Sequence, residues 1–279
     1  MSAHSGHAAA TFRPIRQGLP LYANPIRQLF SASTWRAAWF LLAYLVVSWV
    51  LFAVVFTAAT TTLTLAITLL GLPLLIGTAA VVRWSASAER LRLRPVVHEP
   101  PATGGYRDTS ARGLFANIRA AWTDPAIWRN IAYLVGLFPF LWALDLTVLT
   151  IWATFIGCIA LPAWYWALPA QTYSTGRSFK GAQFGYFPHG PNGKGAVGIF
   201  VDTPAKAIGV ALIFLVLTLL FSYVVVLTAR MHARVAYSLV GAPEDPLAEA
   251  KNVLSQPGPL GPLGSPRRNG NASRPTAAT

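Results

Sequence analysis

The chain has 279 residues, 54% of them hydrophobic and 11% charged, and its 22 Lys and Arg against nine Asp and Glu give a formal charge of +13. So much apolar content with so few charges excludes an ordinary soluble core and fits a protein of the lipid bilayer. The single cysteine, Cys158, excludes a disulfide framework within the chain and argues against a cysteine metal site.

In chain order, residues 1–34 are small, polar and proline-bearing (Pro14, Pro20, Pro25), punctuated by Arg13, Arg16 and Arg27. They lack the apolar core of a cleavable signal peptide and read as a flexible cytoplasmic N-terminus. Trp35-Arg36 then opens a run, Ala37–Val82, without Asp, Glu, Lys or Arg. At ~1.5 Å per residue, about 20 residues cross a ~30 Å hydrocarbon core, so this run is long enough for two crossings. The Thr-rich patch Thr57, Thr60, Thr61, Thr62 marks the turn, giving spans at about 37–56 and 63–82.

Arg83, Arg90, Arg92 and Arg94 close the run. They read as contacts to lipid headgroups or to a partner on the cytoplasmic face. Pro95, Pro100 and Pro101 with Gly104-Gly105 interrupt any helix that continues past Arg94.

Trp128-Arg129 repeats the opening Trp35-Arg36, and His232-Ala233-Arg234-Val235 parallels Ala88-Glu89-Arg90-Leu91. This weak internal repeat predicts spans at about 131–150 and 206–227, with an insert of about 151–205 between them. The low-polarity stretch 131–168 is too long for one straight crossing. It is either one span followed by an aromatic segment on the outer surface, or a tight hairpin, which the match of Gly71-Leu72-Pro73 with Ala160-Leu161-Pro162 favours. Placing most Lys and Arg inside selects four crossings with both termini cytoplasmic. Trp164, Tyr165 and Trp166 then sit at the headgroup boundary, where indole and phenol rings settle.

Asp202-Thr203-Pro204 is a helix start: a side-chain oxygen can accept first-turn N–H groups, and Pro lacks one to satisfy. Arg230 and Arg234, also candidate contacts to lipid headgroups or a partner, flank His232 on an amphipathic extension, with His232 expected at the surface. Gly241, Pro243 and Pro246 interrupt that helix, and residues 242–279 read as a disordered cytoplasmic tail with room for one short helix at Asp245–Leu254.

Asp145 is the one acid inside an apolar span, and such acids usually face a bundle interior or cavity. It is a candidate sensing residue; the plainer alternative is a hydrogen-bonded or protonated carboxyl near the outer interface. His189 and Asp202, with Trp164, Tyr165 and Trp166, complete the candidate sensing or ligand set. Gly185–Gly195 fails as a phosphate loop, because Pro188 stands where a Gly is required and Gly195 where Ser or Thr is. No nucleophile elbow, paired carboxylates or metal-ligand spacing is visible, so no catalysis, cofactor or metal is expected. The basic runs lack interleaved aromatics, so no nucleic acid is expected either.

Several segments resemble the actinobacterial "putative sensor" domain, the multi-span region that often precedes a two-component histidine kinase. They are Gly71-Leu72-Pro73, Asp124-Pro125 through Trp128-Arg129 into Ile131-Ala132-Tyr133-Leu134, Trp164-Tyr165-Trp166-Ala167, Val201-Asp202-Thr203-Pro204, and Ala229-Arg230-Met231-His232-Ala233-Arg234 through Leu239-Val240-Gly241. The likeness covers about residues 35–241. It implies a membrane sensing region, here without the phosphoacceptor His or Gly-rich ATP lid of a kinase.

The expectation is therefore an all-α integral membrane protein of four transmembrane helices in two related hairpins, with an inserted extracytoplasmic loop in the second half. Its expected role is to pass an envelope or lipid signal to a kinase, a regulator or a membrane-complex subunit, and a homo-oligomer is compatible with it. The rivals are a small transporter or permease subunit, with Asp145 as coupling acid, and a structural subunit of a membrane complex.

Overall fold

A computed structural model describes residues 18–66, 68, 71–98, 106 and 113–241, all within the unit Pro14–Ala242. The tail expected over 242–279, the first 17 residues and most of the linker prolines and glycines lie outside the described residues. In order, the helices are α1 (Pro25–Phe30), α2 (Ala32–Leu65), α3 (Gly71–Leu93), α4 (Leu114–Trp122), α5 (Pro125–Ile131), α6 (Phe138–Ile159), α7 (Leu161–Trp164) and α8 (Pro204–Val240). A π-helical turn, Ala132–Gly136, joins α5 to α6, and a 3-10 turn, Tyr165–Ala167, follows α7.

Among the described residues, three helices are long and apolar enough to cross a membrane: α2, α6 and α8. At ~1.5 Å per residue the 34 residues of α2 and the 37 of α8 reach about 50 and 55 Å, well beyond a ~30 Å core. α3 is not among the three: it is apolar to Val82 and then carries Arg83, Glu89, Arg90 and Arg92.

The turn expected at Thr57–Thr62 does not fall there: α2 runs on to Leu65, and α3 starts at Gly71. The hydroxyls bond to their own helix instead of breaking it. Thr60 Oγ1 donates to Phe56 O (2.9 Å) and Thr64 Oγ1 to Thr60 O (2.9 Å), while Thr62 and Thr78 share a 2.6 Å hydroxyl contact that ties α2 to α3. Residues 18–33, expected to be flexible, are folded. Asn24 caps α1, Leu19 and Gln28 are buried, and the Tyr223 hydroxyl of α8 donates to Tyr22 O at 2.7 Å.

The stretch 131–168 is not a tight hairpin. The helix continues to Ile159, nine residues beyond the expected end of the third span, and a short aromatic segment follows. Ahead of α8 the chain is not helical. It makes two small antiparallel pairs, β1 (Gln171–Thr172) with β2 (Ser178–Phe179) and β3 (Ala182–Tyr186) with β4 (Val197–Val201). Ala182 and Val201 form a satellite core with Leu161 and with Ala207 and Val210 of α8. Thr203 caps α8 by accepting from Lys206 N, with Pro204 in the first turn, as the sequence anticipates.

Aromatic contacts fix the helix directions. Trp35 meets Trp152 at 5.3 Å between ring centroids, Trp142 Nε1–H donates to Leu45 O at 3.3 Å, and Trp49 meets Phe138 at 5.2 Å. Residue number rises along α2 as it falls along α6, so the two helices are antiparallel. Two hairpins with both tips on one side would make them parallel. Instead, the turn after α2 and the segment after α6 lie at opposite ends. Hydropathy does not report which faces of two apolar helices meet, and the Lys and Arg distribution, which sets the expected directions, makes these two parallel; their ring contacts show the opposite.

Candidate functional site

The centre of the bundle holds an ionisable cluster. Asp145 (α6), Glu89 (α3) and His232 (α8) are each 0% exposed, Tyr133 in the π turn is 1%, and the Arg92 side chain (α3) is 7%. Asp145 Oδ2 lies 2.7 Å from His232 Nδ1. On the other side of the ring, His232 Nε2 lies 3.2 Å from the Tyr133 hydroxyl and 3.3 Å from Arg92 Nη2. Arg92 donates twice to Glu89 Oε2, at 2.9 and 2.8 Å, once to the Phe40 carbonyl of α2 at 3.1 Å and once to the Tyr133 hydroxyl at 3.3 Å. Its guanidinium lies over the Phe40 ring at 4.1 Å and the Tyr44 ring at 4.7 Å, and Tyr44 stands edge-on to the His232 imidazole at 4.3 Å.

Local structure aims these groups. Glu89 and Arg92 are three apart on α3, so they share a face. The π turn closes with Leu137 N–H to Ala132 O at 2.8 Å, five residues back. That extra residue per turn shifts the register between α5 and α6, letting Tyr133 and Asp145 both face inward. Isolated charges buried this deeply would be costly, and pairing offsets much of that cost. Two oxygens, Glu89 Oε1 and Asp145 Oδ1, find no hydrogen-bond partner among the described residues.

The contacts assign the hydrogen of a neutral imidazole. A carboxylate only accepts, so Asp145 at 2.7 Å from Nδ1 requires a hydrogen there. Nδ1 then carries the hydrogen and donates it to Asp145, which leaves the lone pair on Nε2, facing the guanidinium of Arg92, which only donates. Tyr133 is free to donate to Glu89 Oε2, 3.2 Å away. With His232 neutral, the formal charges of Glu89, Asp145 and Arg92 leave the cluster at one negative charge.

Beside the cluster, Arg90 Nη2 bonds to the Tyr106 hydroxyl (3.1 Å), which also accepts from Asn130 (2.9 Å), and Arg83 lies over the Tyr106 ring and 4.0 Å from Asp124.

The residues singled out from sequence therefore separate. Asp145 is at the centre of the cluster, fully buried and hydrogen-bonded to His232. His232, expected at the surface, is its partner. Arg92 and Arg90, expected to meet headgroups or a partner, are turned inward, and Arg83 is half-buried against Tyr106; neighbouring aromatic rings and carboxylates draw all three in. The Arg230 guanidinium bonds to the Leu19 carbonyl, whereas Arg94 and Arg234 are exposed. Trp164 and Trp166 expose their rings while donating to their own backbone at Gly157 O and Ala163 O, and Tyr165 is half-buried. His189 is exposed beside Ser174 (2.9 Å). Asp202 bonds to Lys206 Nζ at 2.7 Å, which holds its carboxyl below the ordinary range. None of the aromatic triplet, His189 or Asp202 contacts the cluster through a described hydrogen bond or ring contact.

Glu89, Tyr133 and Tyr44 were missed. One signal was available: Glu89 is the only acid between Arg83 and Arg94, three residues before Arg92, a spacing that pairs on a helix. Among the described residues no group of three or more His, Cys, Asp or Glu could hold a metal ion. The arrangement can exchange protons and can hold or release helices. It resembles the buried polar links that fix how membrane helices pack.

No curated protein and no solved structure matches the chain. A family model described as "Putative sensor" matches residues 40–240, a range that contains the whole cluster from Phe40 to His232. The chain, apolar helices and buried charges included, belongs to that sensor family.

Proposed function

We propose that this chain is a non-catalytic sensing module of the cell membrane, in which the Asp145–His232–Tyr133–Arg92–Glu89 cluster sets how α2, α3, α6 and α8 pack. The observation that carries the reading is that one buried cluster links all four long helices. A stimulus can act only by favouring one packing over another, and a central polar link is where two packings differ most in energy. The changed packing would be read by a protein partner at the exposed basic positions Arg94 and Arg234.

The packing supports α2, α6 and α8 as alternating crossings, with α3 returning beside α2. The basic residues after α8 favour a cytoplasmic C-terminal side, which puts the 160–203 insert and the residues before α2 outside. The distribution of Lys and Arg by itself favours four crossings, with both termini cytoplasmic and only the insert outside, a layout that needs α2 and α6 parallel and so runs against their antiparallel packing. Labelling of single cysteines separates the two.

The test of the sensing role is a distance measurement. Spin labels at the exposed positions Trp84→Cys (α3) and Leu227→Cys (α8), in a Cys158→Ala background, are compared in vesicles of anionic and of zwitterionic lipid. The expected result is a shift in the distance distribution that Asp145→Asn abolishes. One distribution in all lipids, together with no protein crosslinked at Arg234 in native membranes, overturns the reading.

A second reading, proton-coupled transport with Asp145 as the coupling acid, is favoured by its buried contact to an imidazole. Substrate uptake into vesicles that is lost in Asp145→Asn would select it.

A further inference from the structure

The side of His232 away from Asp145 is occupied by a cation. Arg92 Nη2 stands 3.3 Å from Nε2, a contact that exists only while Nε2 has a lone pair. A proton added at Nε2 turns that atom into a donor and gives the ring a positive charge directly against the guanidinium. The Tyr133 hydroxyl, 3.2 Å away, can accept from the new N–H and still donate to Glu89. Asp145 accepts from Nδ1 in either state. Arg92 is therefore the one partner that must withdraw.

The surroundings bear on the same step from every helix packed on the ring. α2 contributes Tyr44, α3 contributes Glu89 and Arg92, the π turn contributes Tyr133, and α6 contributes Asp145. With His232 neutral these sum to one negative charge, so uptake of one proton brings the cluster to neutrality. The charge balance favours uptake, and the position of Arg92 opposes it. Uptake is thereby tied to movement of Arg92, which also holds the Phe40 carbonyl of α2.

We propose that His232 is a proton-binding site in which protonation of Nε2 displaces Arg92 and loosens α3 from α2 and α8. This rests on the sensing role above and names one stimulus for it, the proton. The link is chemical: one N–H bond forms at Nε2, one Arg–imidazole hydrogen bond breaks, and no other covalent bond changes.

The experiment uses the full chain in lipid nanodiscs with His4, His7, His98 and His189 replaced by Gln, so that His232 is the only imidazole. Its nitrogen NMR signals are followed between pH 8 and pH 5, together with the Trp84→Cys/Leu227→Cys spin-label distance. At pH 8 the expected state has Nδ1 protonated and Nε2 bare. On acidification Nε2 gains its proton, and the distance distribution broadens or shifts over the same pH range. In Arg92→Gln the proton is taken up at higher pH with no accompanying distance change. An Nε2-protonated ring at pH 8, or a distance change that persists in His232→Gln, overturns the inference. So does titration of Nε2 with an unchanged distance. If lipid composition shifts the distance while pH does not, this inference fails and the sensing role stands. If neither shifts it, this inference fails, and with no protein crosslinked at Arg234 the sensing role fails too.

Discussion

Asp145 and His232 are 87 residues apart in sequence and 2.7 Å apart in space, both fully buried. The contact joins α6 to α8 near the middle of the bundle. Asp145→Asn keeps an oxygen to accept from Nδ1 but adds an amide donor to a site where Asp145 Oδ1 already has no partner. An unsatisfied buried polar group costs about 1–3 kcal/mol. The expected outcome is a loss of that size with the fold retained, read as a lower unfolding midpoint in bicelles.

The α2–α3 turn depends on Gly71. A Cβ there would overlap Leu65 O and lie 2.6 Å from Ala66 Cα, both backbone atoms that cannot swing aside. Gly71→Ala should therefore destabilise by about 1–3 kcal/mol, as overpacking does. Gly77→Ala, with nothing within 4 Å of its Cβ, is the control and should leave the midpoint within about 0.5 kcal/mol or raise it.

Helix directions make a labelling prediction. Single cysteines at the exposed positions Ala23, Ser178 and Ser238, in a Cys158→Ala background, are treated with an impermeant thiol reagent in intact cells. Alternating crossings by α2, α6 and α8 predict that Ala23→Cys and Ser178→Cys react and Ser238→Cys does not. Four crossings would protect Ala23→Cys as well.

The Asp202–Lys206 pair should matter little. Asp202 is about half exposed and its carboxyl is held below its ordinary value near 3.8 by Lys206. A depressed carboxyl contributes stability above its unfolded value and loses it as pH falls through the folded value. Any contribution is therefore intact from pH 5 to 8 and fades only below 3.8, and solvent screening limits it to at most about 1 kcal/mol. Lys206→Ala should leave the unfolding midpoint nearly unchanged at pH 7 and remove the small acid-dependent loss below pH 4.

Much of this was legible in the sequence, for stated reasons. The absence of charge from Ala37 to Val82 marked apolar helices, and Asp202-Thr203-Pro204 marked where α8 starts. Asp145 stood out because a lone acid in an apolar helix needs a partner. The partner was hidden because local context misled: His232 sits between two arginines, which reads as a surface, yet Ala229, Ala233 and Ala236 on the same helix are buried with it. Glu89 and Arg92 were masked by the basic run around them. Threonines that read as a turn were helical because their hydroxyls bond to carbonyls of the preceding turn. The antiparallel packing of α2 on α6 rests on Trp35, Trp49, Trp142 and Trp152, residues whose pairing no periodicity reports.

The most direct test of the central claim, that a buried link between α6 and α8 organises the bundle, is a double-mutant cycle. Unfolding of wild type, Asp145→Leu, His232→Leu and the double variant is measured in bicelles. Polar contacts between membrane helices average about 0.6 kcal/mol. The expected coupling energy is above about 1 kcal/mol, with the double variant more stable than the sum of the single losses allows. Single losses that add to within about 0.3–0.5 kcal/mol would contradict it.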